Sequence, residues 1–364
     1  MNELEKGWQS FTAHEITALT PILERMGITL DTDQPHISGE RFLMSGKKVV
    51  LIGTKNDTGE TVIIKSSTDP VSKKELQHER TTRDTLHAIN FAYTPLLTPK
   101  EIWSEHEGER LTIVTQYIAQ PIPFLSLPLS KQFDLLLGAF TMLEGVHATT
   151  ASHGTSVLQF GNKVAADYIT LAKTFFNDSH ATIASCSESY SKILQTALHQ
   201  IETNQVSIER YCRFLTHDDF ALHNFRFTSD AIYLIDQASL TFGNKHESWA
   251  RLLNYMVLYN QPLEQAFATY IQTNLSIEEQ ASIKLMRMYK LIELLAYHAL
   301  AATESTGDVQ TLSFARITFW IEVLKSVSAD TKVAVSTIDS YKQTRDSLRT
   351  AAEIERQKVL QQLL

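Results

Sequence analysis

The sequence has 364 residues, of which 43% are hydrophobic and 20% charged, and its formal net charge is −8. These values are typical of a globular protein large enough to form two domains or lobes. No basic stretch offsets the acidic charge, so we expect neither a nucleic-acid partner nor attachment to an anionic membrane. Two cysteines, Cys186 and Cys212, cannot form a disulfide framework, and the N-terminal residues lack the pattern of a secretory signal. We therefore expect a cytoplasmic protein.

The first third of the chain predicts a helix followed by an antiparallel sheet. A capping box at Thr12 and Glu15 predicts the start of the helix. The apolar pattern then changes to a period of two, which predicts strands over residues 41–44, 49–54 and 61–65. Ser45 and Gly46 form the turn between the first two strands, and the third ends at Lys65. A further buried strand is predicted over residues 111–117.

A second helix is predicted between the strands that end near residues 65 and 117. Its start is predicted at a capping box formed by Ser72 and Glu75. Glu79 lies one turn later and shares the apolar face of the helix with Leu76 and Leu86. This spacing favours an inward-facing carboxylate at Glu79, with Glu75 as the second candidate and a solvated surface residue as the alternative.

The second half of the chain has mainly helical patterns. Residues 130–148 form an amphipathic helix, and helical patterns continue from 148 to 213 and from about 247 to the end. The charged pattern over residues 337–364 has no sustained heptad, which disfavours a coiled coil. We interpret this tail as a segment that either packs across the large domain or mediates self-association as a homodimer.

One non-helical stretch, residues 214–236, carries the candidate site. A polar loop with His217, Asp219 and Asn224 is followed by a predicted hairpin that ends on Asp236. Phosphoryl transfer needs oxygen ligands for Mg²⁺ and a carboxylate that orients the attacking hydroxyl. Asn224 and Asp236 are candidate metal ligands, and Asp219 is the candidate base. His217 is expected to fix the loop by hydrogen bonds; a capped loop without catalytic function is the alternative.

The pattern His-x-Asp-x-x-x-x-Asn, followed by a hairpin and an Asp, resembles the catalytic loop and metal-binding Asp of the protein-kinase-like fold. It is most similar to that of the aminoglycoside phosphotransferase and choline kinase family of small-molecule kinases. The resemblance covers about residues 40–260, with its five matching residues in family order: Lys65, Glu79, Asp219, Asn224 and Asp236. It implies an α+β fold with a small antiparallel β lobe (residues 1–118) and a large helical lobe (residues 119–364).

The resemblance also implies a function for each matched segment. It implies transfer of the γ-phosphate of ATP, with Mg²⁺, to a hydroxyl of an aminoglycoside-, choline- or sugar-like acceptor. Lys65 would contact the nucleotide phosphates and pair with Glu79. Two further segments would bind the nucleotide: Ser45 and Gly46 at its phosphates, and the hinge residues Gln116, Tyr117 and Ile118 at its adenine.

Several positions depart from the family pattern. The motif Gly-x-Gly-x-x-Gly is absent near Gly46, and Asp218 stands where aminoglycoside phosphotransferases commonly have Gly. Asp218 is expected to face away from the nucleotide, because a second carboxylate would repel phosphate. Ser248 stands where the family often has Asp, which predicts weaker support of the loop unless Glu247 replaces it.

Two alternatives follow from these departures, and one further observation limits the acceptor. A kinase-like protein that acts through partners without phosphoryl transfer is the first alternative. The second is a phosphohydrolase of the His-Asp type built on His217, Asp218 and His223, which the predicted hairpin disfavours. Only about ten residues separate Asp236 from the next helical pattern, and no Ala-Pro-Glu is present, so a small acceptor is favoured over a protein.

Overall fold

The structure, a computed structural model, describes residues 3–32, 34, 47–88, 97–150, 160–229, 231–349, 351 and 354. For residues 3–9 and 145–150 it describes the backbone alone. Ser45, Gly46 and the strand predicted over residues 41–44 lie outside the described residues.

The first lobe contains a five-stranded antiparallel sheet in the order β1-β2-β3-β5-β4. The strands are β1 (Ile28–Leu30), β2 (Val49–Lys55), β3 (Thr61–Ser67), β4 (Glu101–Glu107) and β5 (Arg110–Gln116). Buried residues alternate with half-buried ones along β2 and β3, as the period of two predicts. The strands predicted near residues 49–54, 61–65 and 111–117 are present, whereas β1 and β4 were not predicted.

Two helices pack against this sheet, and both begin earlier than the sequence predicts. Helix α1 (Glu3–Arg25) contains Glu15 in its interior, where the carboxylate forms a buried ion pair with Arg110. Helix α2 (Pro70–Ala88) begins at a proline, and Asp69 Oδ2 accepts a hydrogen bond from the Ser72 amide at 3.0 Å. The two predicted capping boxes are therefore wrong, because both helices begin earlier, Glu15 pairs with Arg110 and Glu75 Oε2 lies 3.7 Å from Lys48 Nζ.

The second lobe is mainly helical. Its described helices of five residues or more are α3 (Leu129–Thr150), α4 (Ala165–Cys186), α5 (Glu188–Thr203), α6 (Gln205–Glu209), α7 (His246–Tyr259), α8 (Gln261–Asn274), α9 (Ile277–Glu304), α10 (Gly307–Ser328) and α11 (Val335–Ser347). Helix α9 packs against α4, α7 and α10 and supplies much of the core. The capping box predicted at Ser276 and Glu279 is present at its start. None of the described helices is long and apolar enough to cross a membrane.

Two short antiparallel strand pairs hold the predicted site. Strand β6 (Phe214–His217) pairs with β9 (Leu240–Gly243), and β7 (Phe225–Phe227) pairs with β8 (Ile232–Leu234). The predicted hairpin is therefore present, with the loop of Asp219 before it and Asp236 directly after it. The predicted two-lobed α+β fold is confirmed, while its division at residue 118 stays a prediction.

Candidate active site

Lys65 and Glu79 meet where the sheet faces α2. Lys65 lies in the middle of β3, opposite Val50 and Ile113 of the neighbouring strands. Glu79 is 5% exposed on the inner face of α2, and its Oε1 lies 2.5 Å from Lys65 Nζ. The ion pair expected between them is present, and it holds the ammonium group at a fixed position.

A cavity of about 110 Å³ lies next to this pair, between the two lobes. Lys65, Glu79 and the three expected hinge residues Gln116, Tyr117 and Ile118 line it. Residues that the sequence did not indicate as nucleotide contacts also line it, among them Arg83, Arg226, Ile235 and Gln237. The cleft therefore joins the sheet, α2, the segment after β5 and the end of the β7–β8 hairpin.

Asp236 lies between Ile235 and Gln237 of this lining. The Ile235 amide donates to the Asn224 carbonyl oxygen at 2.9 Å, so the hairpin holds residues 235–236 beside Asn224. Asp236 Oδ1 accepts a hydrogen bond from the Ala238 amide at 3.1 Å. The structure thus brings together the two predicted metal ligands at the edge of the cleft.

His217 is completely buried beneath this strand end. Its Nε2 donates to the Asp236 carbonyl oxygen at 2.7 Å, and no described residue contacts Nδ1 by a hydrogen bond. Burial lowers the pKa of His217, so the imidazole is neutral at physiological pH. Its contacts fit the expected positioning of the loop and not proton exchange.

Asp219 is held by four donors. Arg251 Nε and Nη2 each lie 2.8 Å from its Oδ1, while Asn224 Nδ2 at 3.0 Å and His223 Nε2 at 3.2 Å contact its Oδ2. Burial alone would raise the pKa of Asp219, but the His223 hydrogen bond and the Arg251 charge hold it well below its usual range. Arg251 was not predicted; the only signal is its position on α7, one turn after Ser248.

The loop is anchored from both sides. Phe220 is fully buried, and its ring stacks on that of Phe140 with a centroid distance of 4.6 Å. Ser248 Oγ accepts the His217 amide at 2.9 Å and lies 2.7 Å from Thr216 Oγ1. The weaker support expected from Ser248 is therefore not found, because the hydroxyl reaches the loop backbone itself.

Asp218 belongs to a separate cluster under the loop. Its Oδ1 and Glu247 Oε1 each lie 2.9 Å from Lys163 Nζ, and Glu247 Oε2 accepts the Tyr168 hydroxyl at 2.6 Å. Burial and the neighbouring Glu247 charge raise the pKa of Asp218 to about 6. Lys163 and Tyr168 were not predicted as members of the site, since no local pattern marks them.

Comparisons with known proteins identify the fold. No family model and no curated protein matches the sequence. The solved structure of a thermostable mutant of aminoglycoside phosphotransferase APH(4)-Ia, without ligand, is similar with a TM-score of 0.56 and 14% identity, over 83% of this chain and 97% of that one. The chain has the aminoglycoside phosphotransferase fold.

Two ligand complexes with this fold are also similar. One is a variant of the same enzyme in ternary complex with ADP and hygromycin B, with a TM-score of 0.53 and 13% identity over 76% of this chain and 91% of that one. The other is spectinomycin phosphotransferase APH(9)-Ia with ADP and spectinomycin, with a TM-score of 0.53 and 13% identity over 83% of this chain and 93% of that one.

The aminoglycoside phosphotransferase fold raises the question of a metal site. Among the described residues, no group of three or more His, Cys, Asp or Glu side chains could hold a metal ion. Mg²⁺ in phosphoryl-transfer sites is usually bound by one or two side chains together with phosphate oxygens and water. Asn224 and Asp236 fit that smaller donor set, so the residues suit a metal that enters with a nucleotide.

A larger cavity of about 250 Å³ lies elsewhere in this aminoglycoside phosphotransferase fold, between α7, α8, α9 and the segment after α10. Four of its charged residues form two ion pairs, Arg287 with Glu264 and Lys284 with Asp330. None of the predicted site residues lines it. The residues that line the cleft at Lys65, and not its volume, therefore favour it as the functional site.

Proposed function

We propose that this chain transfers the γ-phosphate of Mg-ATP to a hydroxyl of a small molecule. One observation carries the proposal: a single cleft is lined by the Lys65–Glu79 pair, the segment 116–118 and the residues that flank Asp236. Similar structures with this fold bind ADP together with hygromycin B or spectinomycin, which supports a nucleotide site beside a small-molecule site.

The nucleotide would lie in the cleft. Glu79 holds the Lys65 ammonium at 2.5 Å, where it can contact phosphate oxygens. The backbone of Gln116, Tyr117 and Ile118 would contact the base. Ser45 and Gly46 lie outside the described residues, so their contact with the phosphates stays a prediction.

Asn224 and Asp236 would hold Mg²⁺ next to the phosphates. Bound there, the metal would neutralise phosphate charge during the transfer. The Asn224 side chain donates through Nδ2 to Asp219, which directs its amide oxygen away from these two hydrogen bonds. The His217 hydrogen bond to the Asp236 backbone fixes the second ligand.

Asp219 would orient the acceptor hydroxyl. Its lowered pKa makes it a weak base, but phosphoryl transfer proceeds through a loose transition state that requires little early proton removal. The contact from His223, which is 45% exposed, is the longest of the four at 3.2 Å. An acceptor hydroxyl can take that place and pass its proton to Asp219 late in the transfer.

A kinase-like protein that binds nucleotide without transfer is the second candidate. The observation that favours it is the occupation of both Asp219 oxygens by four donors. Calorimetric titration of Mg-ATP, followed by a screen of hydroxyl-bearing metabolites for ADP release, separates the two. A phosphotransferase should bind Mg-ATP and release ADP with an acceptor, and Lys65→Ala should weaken both the binding and the turnover. Binding without turnover supports the second candidate, and no binding contradicts both.

A further inference from the structure

The larger cavity of the helical lobe is a separate space from the cleft at Lys65. It has a volume of about 250 Å³ and lies between α7, α8, α9 and the residues 326–333 at the end of α10 and after it. No described residue lines both the cavity and the cleft. Since a water molecule occupies roughly 30 Å³ of liquid, the cavity has room for about eight waters, or for a ligand of about eight non-hydrogen atoms.

Much of the cavity lining is apolar. Five lining residues are both apolar and buried: Leu253, Val257, Ile271, Ile283 and Val327. They come from four different helices, α7 to α10, so the cavity reaches into the core between these helices. Water beside such residues finds few hydrogen-bond partners, and its replacement by an apolar group is favourable. The lining therefore suits a ligand with a hydrocarbon body.

Arg287 of α9 adds a guanidinium group to this lining, and its side chain is only 15% exposed. Its Nε donates to Asn254 Oδ1 at 3.0 Å, and its Nη1 donates to Glu264 Oε1 at 3.2 Å. Asn254 Nδ2 donates in turn to the Arg287 carbonyl oxygen at 3.1 Å, so the arginine is held in place. Its Nη2 has no acceptor among the described residues. A fixed guanidinium therefore keeps two N–H donors for a ligand.

The charges of the cavity do not balance. Its described lining contains three cations and two carboxylates. Arg287 pairs with Glu264, and Lys284 Nζ lies 2.5 Å from Asp330 Oδ2. Lys332 is exposed and forms no ion pair with any described residue. The lining thus carries one net positive charge, which one anionic group on a ligand would compensate.

Cavity size, apolar lining and charge together define one class of ligand. Ligand sites in proteins are mostly apolar, with a small number of polar groups that fix the orientation of the ligand. Here the polar group is the guanidinium of Arg287, and a carboxylate is the small monoanion that matches its planar donors. A phosphate group brings about two negative charges and exceeds the single positive charge of the lining.

We propose that this cavity is a second binding site, and that it binds a small monocarboxylate with an apolar body. The carboxylate accepts hydrogen bonds from Arg287 Nη2, and the hydrocarbon body lies against Leu253, Val257 and Ile283. The site is independent of the proposed phosphoryl transfer, because none of the candidate active-site residues lines it.

Four probes test the ligand class: 4-methylpentanoate, its neutral amide, leucine and acetate. Each is titrated into the complete chain and followed by saturation-transfer NMR, with and without saturating Mg²⁺ and AMP-PNP. We expect 4-methylpentanoate to bind with a Kd of about 1 mM or tighter, an ordinary affinity for a ligand of its size. The amide should bind about tenfold more weakly, the scale of one charge-assisted hydrogen bond. Leucine should also bind more weakly, because its ammonium group meets the excess positive charge, and acetate lacks the apolar body.

Ala268→Met tests the location of the site. Ala268 lines the cavity from α8 and is half-buried, so a longer side chain fills part of the space. The variant should weaken binding of 4-methylpentanoate about tenfold or more, the effect of losing several apolar contacts. Thr269→Met, at an exposed neighbouring position outside the lining, is the matched control and should leave the Kd unchanged.

Arg287→Gln tests the carboxylate contact and should remove the advantage of 4-methylpentanoate over its amide. If loss of the Glu264 partner unfolds this variant, Lys332→Gln still tests the charge and should lower that advantage about threefold. Lys192→Gln, at an exposed residue of α5, is its control. Equal Kd values of acid and amide, tightest binding of leucine, displacement by AMP-PNP, an unchanged Kd in Ala268→Met, or no binding of any probe overturns the inference.

Discussion

The electrostatic state of Asp219 decides how this site can act. Arg251 contacts one carboxylate oxygen twice, and Asn224 and His223 share the other. A carboxylate held in this way stays ionised across the physiological range, since its pKa lies well below the usual value. In the proposed phosphotransferase, Asp219 would therefore mainly orient a hydroxyl, and Arg251 would hold Asp219 in position.

Replacement of Arg251 tests this coupling. Arg251→Met removes a charge that lowers the pKa of Asp219, so that pKa should rise. We expect turnover to fall about tenfold to hundredfold, with Mg-ATP affinity unchanged. The pH profile of kcat should gain an acidic limb that the wild-type protein lacks. Arg251→Lys should restore part of the rate, and an unchanged pH profile in Arg251→Met would contradict the coupling.

Asp218 predicts a different pH dependence, in stability. Its folded pKa of about 6 lies above the ordinary value of 3.8, so the folded state binds more protons than the unfolded state between these values. The contribution of Asp218 to the free energy of unfolding therefore falls as pH rises from about 4 to about 6. Asp218→Asn should remove that fall from a plot of Tm against pH. Asp339→Asn, at an exposed carboxylate, serves as the control, and an identical slope in wild type and Asp218→Asn refutes the assignment.

At the scale of elements, the junction of β9 and α7 is packed against Tyr168. A Cβ at Gly243 would lie 2.3 Å from the Tyr168 hydroxyl, which also bonds Glu247 and the Asn244 amide. Glycine is required at position 243 because the Tyr168 side chain leaves no room for a Cβ. The same junction supports the loop through Ser248, so packing at β9 and geometry at Asp219 are linked.

Gly243→Ala should therefore destabilise the protein by about 1–3 kcal/mol, the usual cost of overpacking. Gly138→Ala is the control, because its Cβ would meet only Ile232 Cδ1 at an ordinary 3.5 Å. Chemical denaturation gives both values. Tyr168→Phe removes the clashing hydroxyl, so the cost of Gly243→Ala should be smaller in that background; strict additivity of the two changes would show that the clash is not the cause.

Local sequence patterns predicted the elements whose structure is specified by residues close together in the chain. The hairpin at 225–234 and the positions of Lys65 and Glu79 followed from periodicity and motif order. Strand β4 was missed because its sequence, EIWSEHE, has no alternation of apolar and polar residues. Arg251 and Lys163 were missed because their partners, Asp219 and Asp218, lie 32 and 55 residues away in the chain. Tertiary contacts of that kind leave no spacing that a sequence pattern can show.

At the scale of the whole molecule, both lobes contribute residues to the candidate site. The sheet and α2 supply the Lys65–Glu79 pair, and the helical lobe supplies the loop of Asp219 and the hairpin that ends at Asp236. The Leu234 amide donates to the Leu97 carbonyl oxygen at 2.8 Å, and Gln120 Oε1 accepts the Phe227 amide at 3.1 Å. These contacts fix the hairpin against the segments that lead to and from the sheet, so the cleft is built jointly.

We propose that Asp236 binds the metal ion and that Asp219 orients the acceptor hydroxyl. Calorimetric titration of Mg-ATP into the wild type, Asp236→Asn and Asp219→Asn, with turnover measured on the same samples, tests it most directly. Asp236→Asn should lose Mg²⁺-dependent nucleotide binding as well as turnover. Asp219→Asn should keep the wild-type affinity and lose about a hundredfold or more in turnover. Equal loss of binding in both variants, or a wild type that binds Mg-ATP and never turns over, would contradict the account.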